Sequence, residues 1–140
     1  MRYVKIQTPH KVRLTNIIIT NIYKSDEGKN NYYAKVKVCD IDDNVNTINN
    51  LNEYLQGYRP KNTKLNNICI DGYIRIKFPT HYGRPKYKAR KSNGLPTVVE
   101  ALQNEINQDM RFDLVIQVQC YVVNESESHV CLQCAELYEI

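Results

Sequence analysis

NYYAKVKV (31–38) and GYIRIKF (72–78) decide how this chain is read. In a strand, alternate side chains point to one face. The first stretch then sets Tyr33, Lys35 and Lys37 on one surface and Tyr32, Ala34, Val36 and Val38 on the other. The second sets Tyr73, Arg75 and Lys77 against Gly72, Ile74, Ile76 and Phe78. Each stretch carries a tyrosine followed by two cations at intervals of two. The pattern describes a sheet with an apolar back and a basic, aromatic front. Single-stranded nucleic acid suits such a front, because rings stack on bases and cations follow phosphates.

Around these stretches the chain alternates strand and helix signals. Residues 11–23, KVRLTNIIITNIY, are β-branched and apolar and predict a long first strand, with SDEGKNN as the turn into a second strand over 32–41. Val45, Ile48, Leu51 and Leu55 then recur at helical spacing, with Gly57 as the C-terminal cap. After a polar connector, residues 68–78 predict the third strand. Thr97 and Glu100 form a capping-box pattern opening a second helix that ends near Met110, with Val98, Val99, Leu102 and Ile106 as its apolar face. Residues 113–122 and 130–140 predict two closing strands around the polar turn NESES.

This order predicts a mainly β fold: a five-stranded barrel of OB-fold type, with one helix between strands three and four and a helical insertion between strands two and three. In that fold the face of strands two and three and its flanking loops form a nucleic-acid groove. The length of 140 residues fits one domain over 1–140.

Charge is segregated along the chain. Residues 59–91 hold ten Lys and Arg against one acid, Asp71, while residues 92–140 hold one base, Arg111, against eight acids. The basic part points to a polyanion. Within it, HYGRPKYKARK (81–91) interleaves Tyr82 and Tyr87 with Arg84, Lys86, Lys88, Arg90 and Lys91. Gly83, Pro85 and Gly94 argue against regular structure, so the segment reads as a mobile arm over a bound strand. A plain surface loop and a basic import signal are the competing readings.

No apolar run approaches the roughly 20 residues of a membrane helix, and MRYVKIQTPHKVR lacks a secretory core. An intracellular protein, in the nucleus or cytoplasm of a host if viral, is expected. Cys39, Cys69, Cys120, Cys131 and Cys134 are read as buried thiols of a reducing compartment. The Cys131/Cys134 pair has CxxC spacing, but there is no second such pair, and no metal is assigned.

At the ends, DLVIQVQCYVVNESESHVCLQCAELYEI (113–140) resembles the closing hairpin of small OB-fold single-stranded DNA-binding proteins of viruses and phages. YYAKVKV (32–38) is similar to their second strand. The resemblance implies binding and protection of unwound DNA in replication or recombination, without sequence specificity, because stacking and backbone contacts tolerate any base. The acidic ending CAELYEI (134–140) is similar to the tails by which such proteins recruit replication partners, and the acidic part with an exposed strand edge suits a partner or further copies of the chain.

Catalysis is not expected. Asp40, Asp42 and Asp43 cluster after strand two and could hold a divalent metal, but alternation divides them between faces, and they read as a strand end and helix cap. His10, His81 and His129 have no partner at catalytic spacing, and neither a phosphate-cradling glycine loop nor a nucleophile elbow occurs. No cofactor is predicted. The alternative functions are a protein-interaction or assembly subunit and an RNA-binding module.

Overall fold

The computed structural model of the chain describes residues 2–24, 31–38, 42–57, 64–65, 68–123 and 127–140, with side-chain placement for 10–24, 31–38, 43–57, 68–118 and 131–140. Its elements are β1 (Arg2–Lys24), β2 (Tyr32–Lys37), α1 (Asp42–Gln56), β3 (Lys64–Leu65), β4 (Tyr73–Phe78), β5 (Thr80–His81), β6 (Arg84–Pro85), β7 (Lys88–Arg90), α2 (Val99–Glu105), β8 (Phe112–Val123), β9 (Glu127–Val130) and β10 (Gln133–Glu139). The fold is mainly β, with two helices.

The main sheet curls into a ring. β1 pairs antiparallel with β2 on one side and with β8 on the other. β2 pairs antiparallel with β4, and β8 with β10. The ring closes through one parallel bridge, Gln133 to Lys77, beside a hydrogen bond of 2.9 Å from the Lys77 amide to the Leu132 carbonyl. Further along the same edge of β10, β7 pairs in parallel through Lys88–Arg90. The chain therefore leaves β10 at the end of β4, makes the β5–β6 hairpin, and returns to β10 as β7.

Alternation fills the interior. Ala34, Val36, Ile74, Ile76 and Phe78 of the two opening stretches are buried, as are Leu14, Ile17, Ile116 and Val118 of β1 and β8. Burying each large apolar side chain contributes roughly 1.5–3 kcal/mol. Ile48, Leu51 and Leu55 of α1 and Val99 and Leu102 of α2 join the same cluster.

Several boundaries differ from the sequence reading, each for a visible reason. β1 begins at Arg2 rather than Lys11, and its register with β8 shifts between Lys5 and His10, an interval that includes Pro9. A bulge tolerates the missing proline donor. The third strand is two segments, because Asp71 (φ 54°) and Gly72 (φ 83°) form a two-residue turn and Ile70 bridges back to Tyr73. Both residues take the left-handed region that a type I′ hairpin requires. The last strand breaks at Cys131–Leu132, where buried Leu132 turns inward and its carbonyl receives β4.

The helices are also corrected. Val45 is 44% exposed, and Asn44, at 1%, takes its place on the buried face. Asn44 clamps the β1 backbone at Thr15: its Oδ1 accepts from the Thr15 amide at 2.9 Å and its Nδ2 donates to the Thr15 carbonyl at 2.6 Å. Those groups sit where the β1–β8 register shifts between Leu14 and Ile17, so the asparagine replaces lost ladder bonds. Gly57 donates to the Tyr54 carbonyl at 3.2 Å without the positive φ of a left-handed cap. The Thr97/Glu100 box does not form: α2 starts after Val98 with no capping bond from that residue's side chain and ends at Glu105. Thr97 instead donates its amide to the Ala89 carbonyl at 3.0 Å.

Candidate functional site

The pairing of β2 with β4 brings the two tyrosine-and-cation rows face to face. Tyr33 stands opposite Lys77, Lys35 opposite Arg75, and Lys37 opposite Tyr73. All six share the outward side, because their neighbours in the alternation are buried. Directly opposed Lys35 and Arg75 repel each other, and the diagonal neighbours relieve this. The Arg75 guanidinium carbon lies 4.0 Å from the centroid of the Tyr33 ring, and Lys35 Nζ lies 4.3 Å from that of Tyr73. Both are cation–π contacts at close range, which hold the cations in place over a flat surface.

β1 extends the face. Tyr23 is paired with Tyr33 across the strands, and their rings stack at 6.0 Å and 21°. Tyr23, Tyr33 and Arg75 thus run across three adjacent strands. On the opposite side of the same two strands, Lys24 Nζ sits 5.4 Å from the ring of Tyr32, which packs against the core. Beside the face opens a cleft of about 440 Å³. Tyr23, Lys35, Tyr73 and Arg75 border it from the sheet, and Ile70 and Asp71 border it from the hairpin turn.

The 81–91 segment is not an irregular arm. Thr80–His81 pairs with Arg84–Pro85, and Tyr82 (φ 51°) with Gly83 (φ 75°) forms the tip. Tyr82 is 93% exposed, its ring edge-on to His81 at 4.3 Å. Arg84 and Lys86 are exposed beside it. Beyond the tip the segment is built into the fold. Tyr87 packs its ring edge-on against Phe78 at 5.1 Å, and its hydroxyl accepts from the Val99 amide at 2.9 Å. This tyrosine caps α2 in place of the expected threonine. Burial pushes its phenol up to about 12, outweighing the Val99 amide, which favours the ionised form.

The remaining cations of this segment are partly engaged. Lys88 Nζ lies 5.8 Å from the Tyr138 ring, Arg90 donates to the Gly94 carbonyl at 3.3 Å, and Lys91 pairs with Glu105 at 3.3 Å. Of these three, Lys91 is the one whose charge is met by an acid, Glu105 of α2. Among the described residues, Lys35, Arg75, Lys77, Arg84 and Lys86 form no ion pair.

Asp40 and the side chain of Asp42 lie outside the described residues, as do Cys39 and the side chains of Cys120 and His129. Asp43 is exposed on α1. Cys134 is buried, and burial raises its thiol far above the ordinary range, so it is inert as a nucleophile. His10 stacks on Tyr54 at 4.1 Å. Among the described residues no group of three or more His, Cys, Asp or Glu is placed to hold a metal ion, and no helix is long and apolar enough to cross a membrane.

Tyr23, Ile70 and Asp71 were not singled out by sequence. The Asp-Gly dipeptide was the available signal for the turn. Tyr23 depended on the β1–β2 register, which periodicity alone does not give. Comparison with protein-family models, curated proteins and solved structures finds no match for this chain.

Proposed function

We propose that this chain binds single-stranded nucleic acid, with DNA favoured, and protects unwound DNA in replication or recombination. The observation that carries the reading is the β2–β4 register, which sets Tyr33, Lys35, Lys37, Tyr73, Arg75 and Lys77 on one outward face. Bases add to the ends of these ring-and-cation columns rather than between their members, and cations ordered by the rings meet phosphates with less ordering cost. Arg75 can also stack by its guanidinium plane, extending the Tyr23–Tyr33 column.

The same reading takes the ring of β1, β2, β4, β10 and β8 as an OB-fold barrel. Supporting it are the five-strand closure, α2 between the third and fourth long strands, and the basic face on the second and third. The β5–β6 hairpin, with Tyr82, Arg84 and Lys86, then stands at the end of the groove as a finger. The resemblance to small viral and phage DNA-binding proteins accords with this plan.

Electrophoretic shift with single-stranded and double-stranded probes of equal length tests the proposal. Single-stranded DNA should bind at least about tenfold more tightly, since paired bases cannot reach the tyrosines. Equal affinity for both, or none for either, counts against it. A single-stranded RNA probe in the same series decides between the nucleic acids.

A further inference from the structure

Asp71 is out of place on a surface for polyanions. It is the one acid among ten cations between residues 59 and 91, yet it borders the cleft that also touches Lys35, Tyr73 and Arg75. Its carboxylate would repel phosphate. The turn does not demand it, because asparagine supports the same positive φ before glycine. No hydrogen bond or ion pair engages the Asp71 side chain among the described residues, so it does not brace the turn.

The rest of the cleft suits a planar heterocycle. Its volume of about 440 Å³ lies within the range of small-ligand sites, roughly 300–1,000 Å³. Ile70 is 66% exposed there and offers an apolar surface facing the Tyr73 end of the hairpin. Lys35 and Arg75 stand at the same opening for a phosphate.

A carboxylate only accepts hydrogen bonds. Guanine carries two donors side by side, the N1 hydrogen and the 2-amino group, and matches it in a bidentate pair. Cytosine and adenine each offer one amino group beside an acceptor nitrogen. Thymine sets one donor between two carbonyls, which a carboxylate repels. We propose that the cleft takes one guanine of the bound strand, its N1–H and 2-amino group on Asp71, its ring against Ile70 and Tyr73, and its phosphate at Lys35 and Arg75. This rests on the single-strand binding proposed above and adds a base preference to it.

The test titrates a fluorescent oligo-dT of about 15 nucleotides, matched to a single-fold site size, and the same strand with one central dG or one central deoxyinosine. The full chain and Asp71→Asn are compared. The dG strand should bind wild type about tenfold more tightly than oligo-dT, the scale of one bidentate base contact. Deoxyinosine, which lacks the 2-amino group, should lose most of that gain. Asp71→Asn should keep its circular dichroism spectrum, bind oligo-dT at least as well, and show less than about a twofold dG preference. Oligo-dT binding with no dG preference, or a preference that survives in Asp71→Asn, overturns the guanine site alone. No binding of any strand overturns the single-strand reading and this one together.

Discussion

Arg75 on β4 sets its guanidinium 4.0 Å from the ring of Tyr33 on β2, one step diagonally across the sheet. With Lys35 over Tyr73 it makes a crossed pair that joins the two strands of the face. The contact removes rotamer freedom before any ligand arrives, so ordering that would otherwise oppose binding is already met.

Truncating Arg75 should therefore cost more than one charge. Arg75→Ala should weaken single-strand binding by about tenfold at low salt and flatten the slope of log affinity against log salt by about 0.7. Arg75→Lys should restore the slope but not the whole affinity, because lysine lacks a stacking plane. Titrations at three or more salt concentrations read both numbers. An unchanged slope in Arg75→Ala would place the phosphates elsewhere.

Tyr82 should trade stability for function. A non-glycine residue at φ 51° in a hairpin tip is strained, and this ring is almost wholly exposed. Tyr82→Asn should raise stability by roughly 0.5–1 kcal/mol, since asparagine accepts that conformation readily. The same change should weaken single-strand binding by roughly 1–3 kcal/mol, the worth of one stack. Denaturant melts and titrations on one preparation check both signs.

The buried Asn44 clamp should be expensive to lose. Asn44→Ala leaves the Thr15 amide and carbonyl without their side-chain partner at the bulge. The expected loss is about 2–3 kcal/mol by urea denaturation. A loss below about 0.5 kcal/mol would show that water replaces the side chain there.

Tyr87 gives a pH signature. Its folded value is raised to about 12 from the ordinary 10, so the folded state resists deprotonation. For an acid shifted upward, stability is whole below pH 10 and falls as pH rises from 10 towards 12, while the unfolded chain gives up its proton. Two units would carry about 2.7 kcal/mol; for a half-buried ring the expected loss is on the order of 1–2 kcal/mol. Tyr87→Phe should cost about 1 kcal/mol at neutral pH through the lost acceptor for Val99. It should also be less sensitive than wild type between pH 10 and 12. Equal alkaline slopes would contradict the assignment.

The fold was legible where burial follows period two on a single element. Ala34, Val36, Ile74 and Ile76 alternate with cations, and they are the interior of the ring. The basic arm was misread for a related reason. Tyr87 and Ala89 alternate with Lys86, Lys88 and Arg90, so a strand pattern was present, but charge density and nearby glycines hid it. Asn44 could not be anticipated, because its burial depends on a bulge in a strand some thirty residues away. The site was legible as two rows of side chains. Their opposition, the Tyr23 stack and the Asp71 cleft arise from inter-strand register and from one tight turn, and local pattern fixes the first of these only weakly.

Everything proposed for this chain depends on the β2–β4 face binding single-stranded nucleic acid. Equilibrium titration of oligo-dT against wild type and Tyr33→Ala/Tyr73→Ala, with circular dichroism on both, tests it most directly. Wild type should bind, and the folded double variant should lose at least about thirtyfold, from two stacks of roughly 1–3 kcal/mol each. Unchanged affinity in a folded double variant, or no binding by wild type, would contradict it.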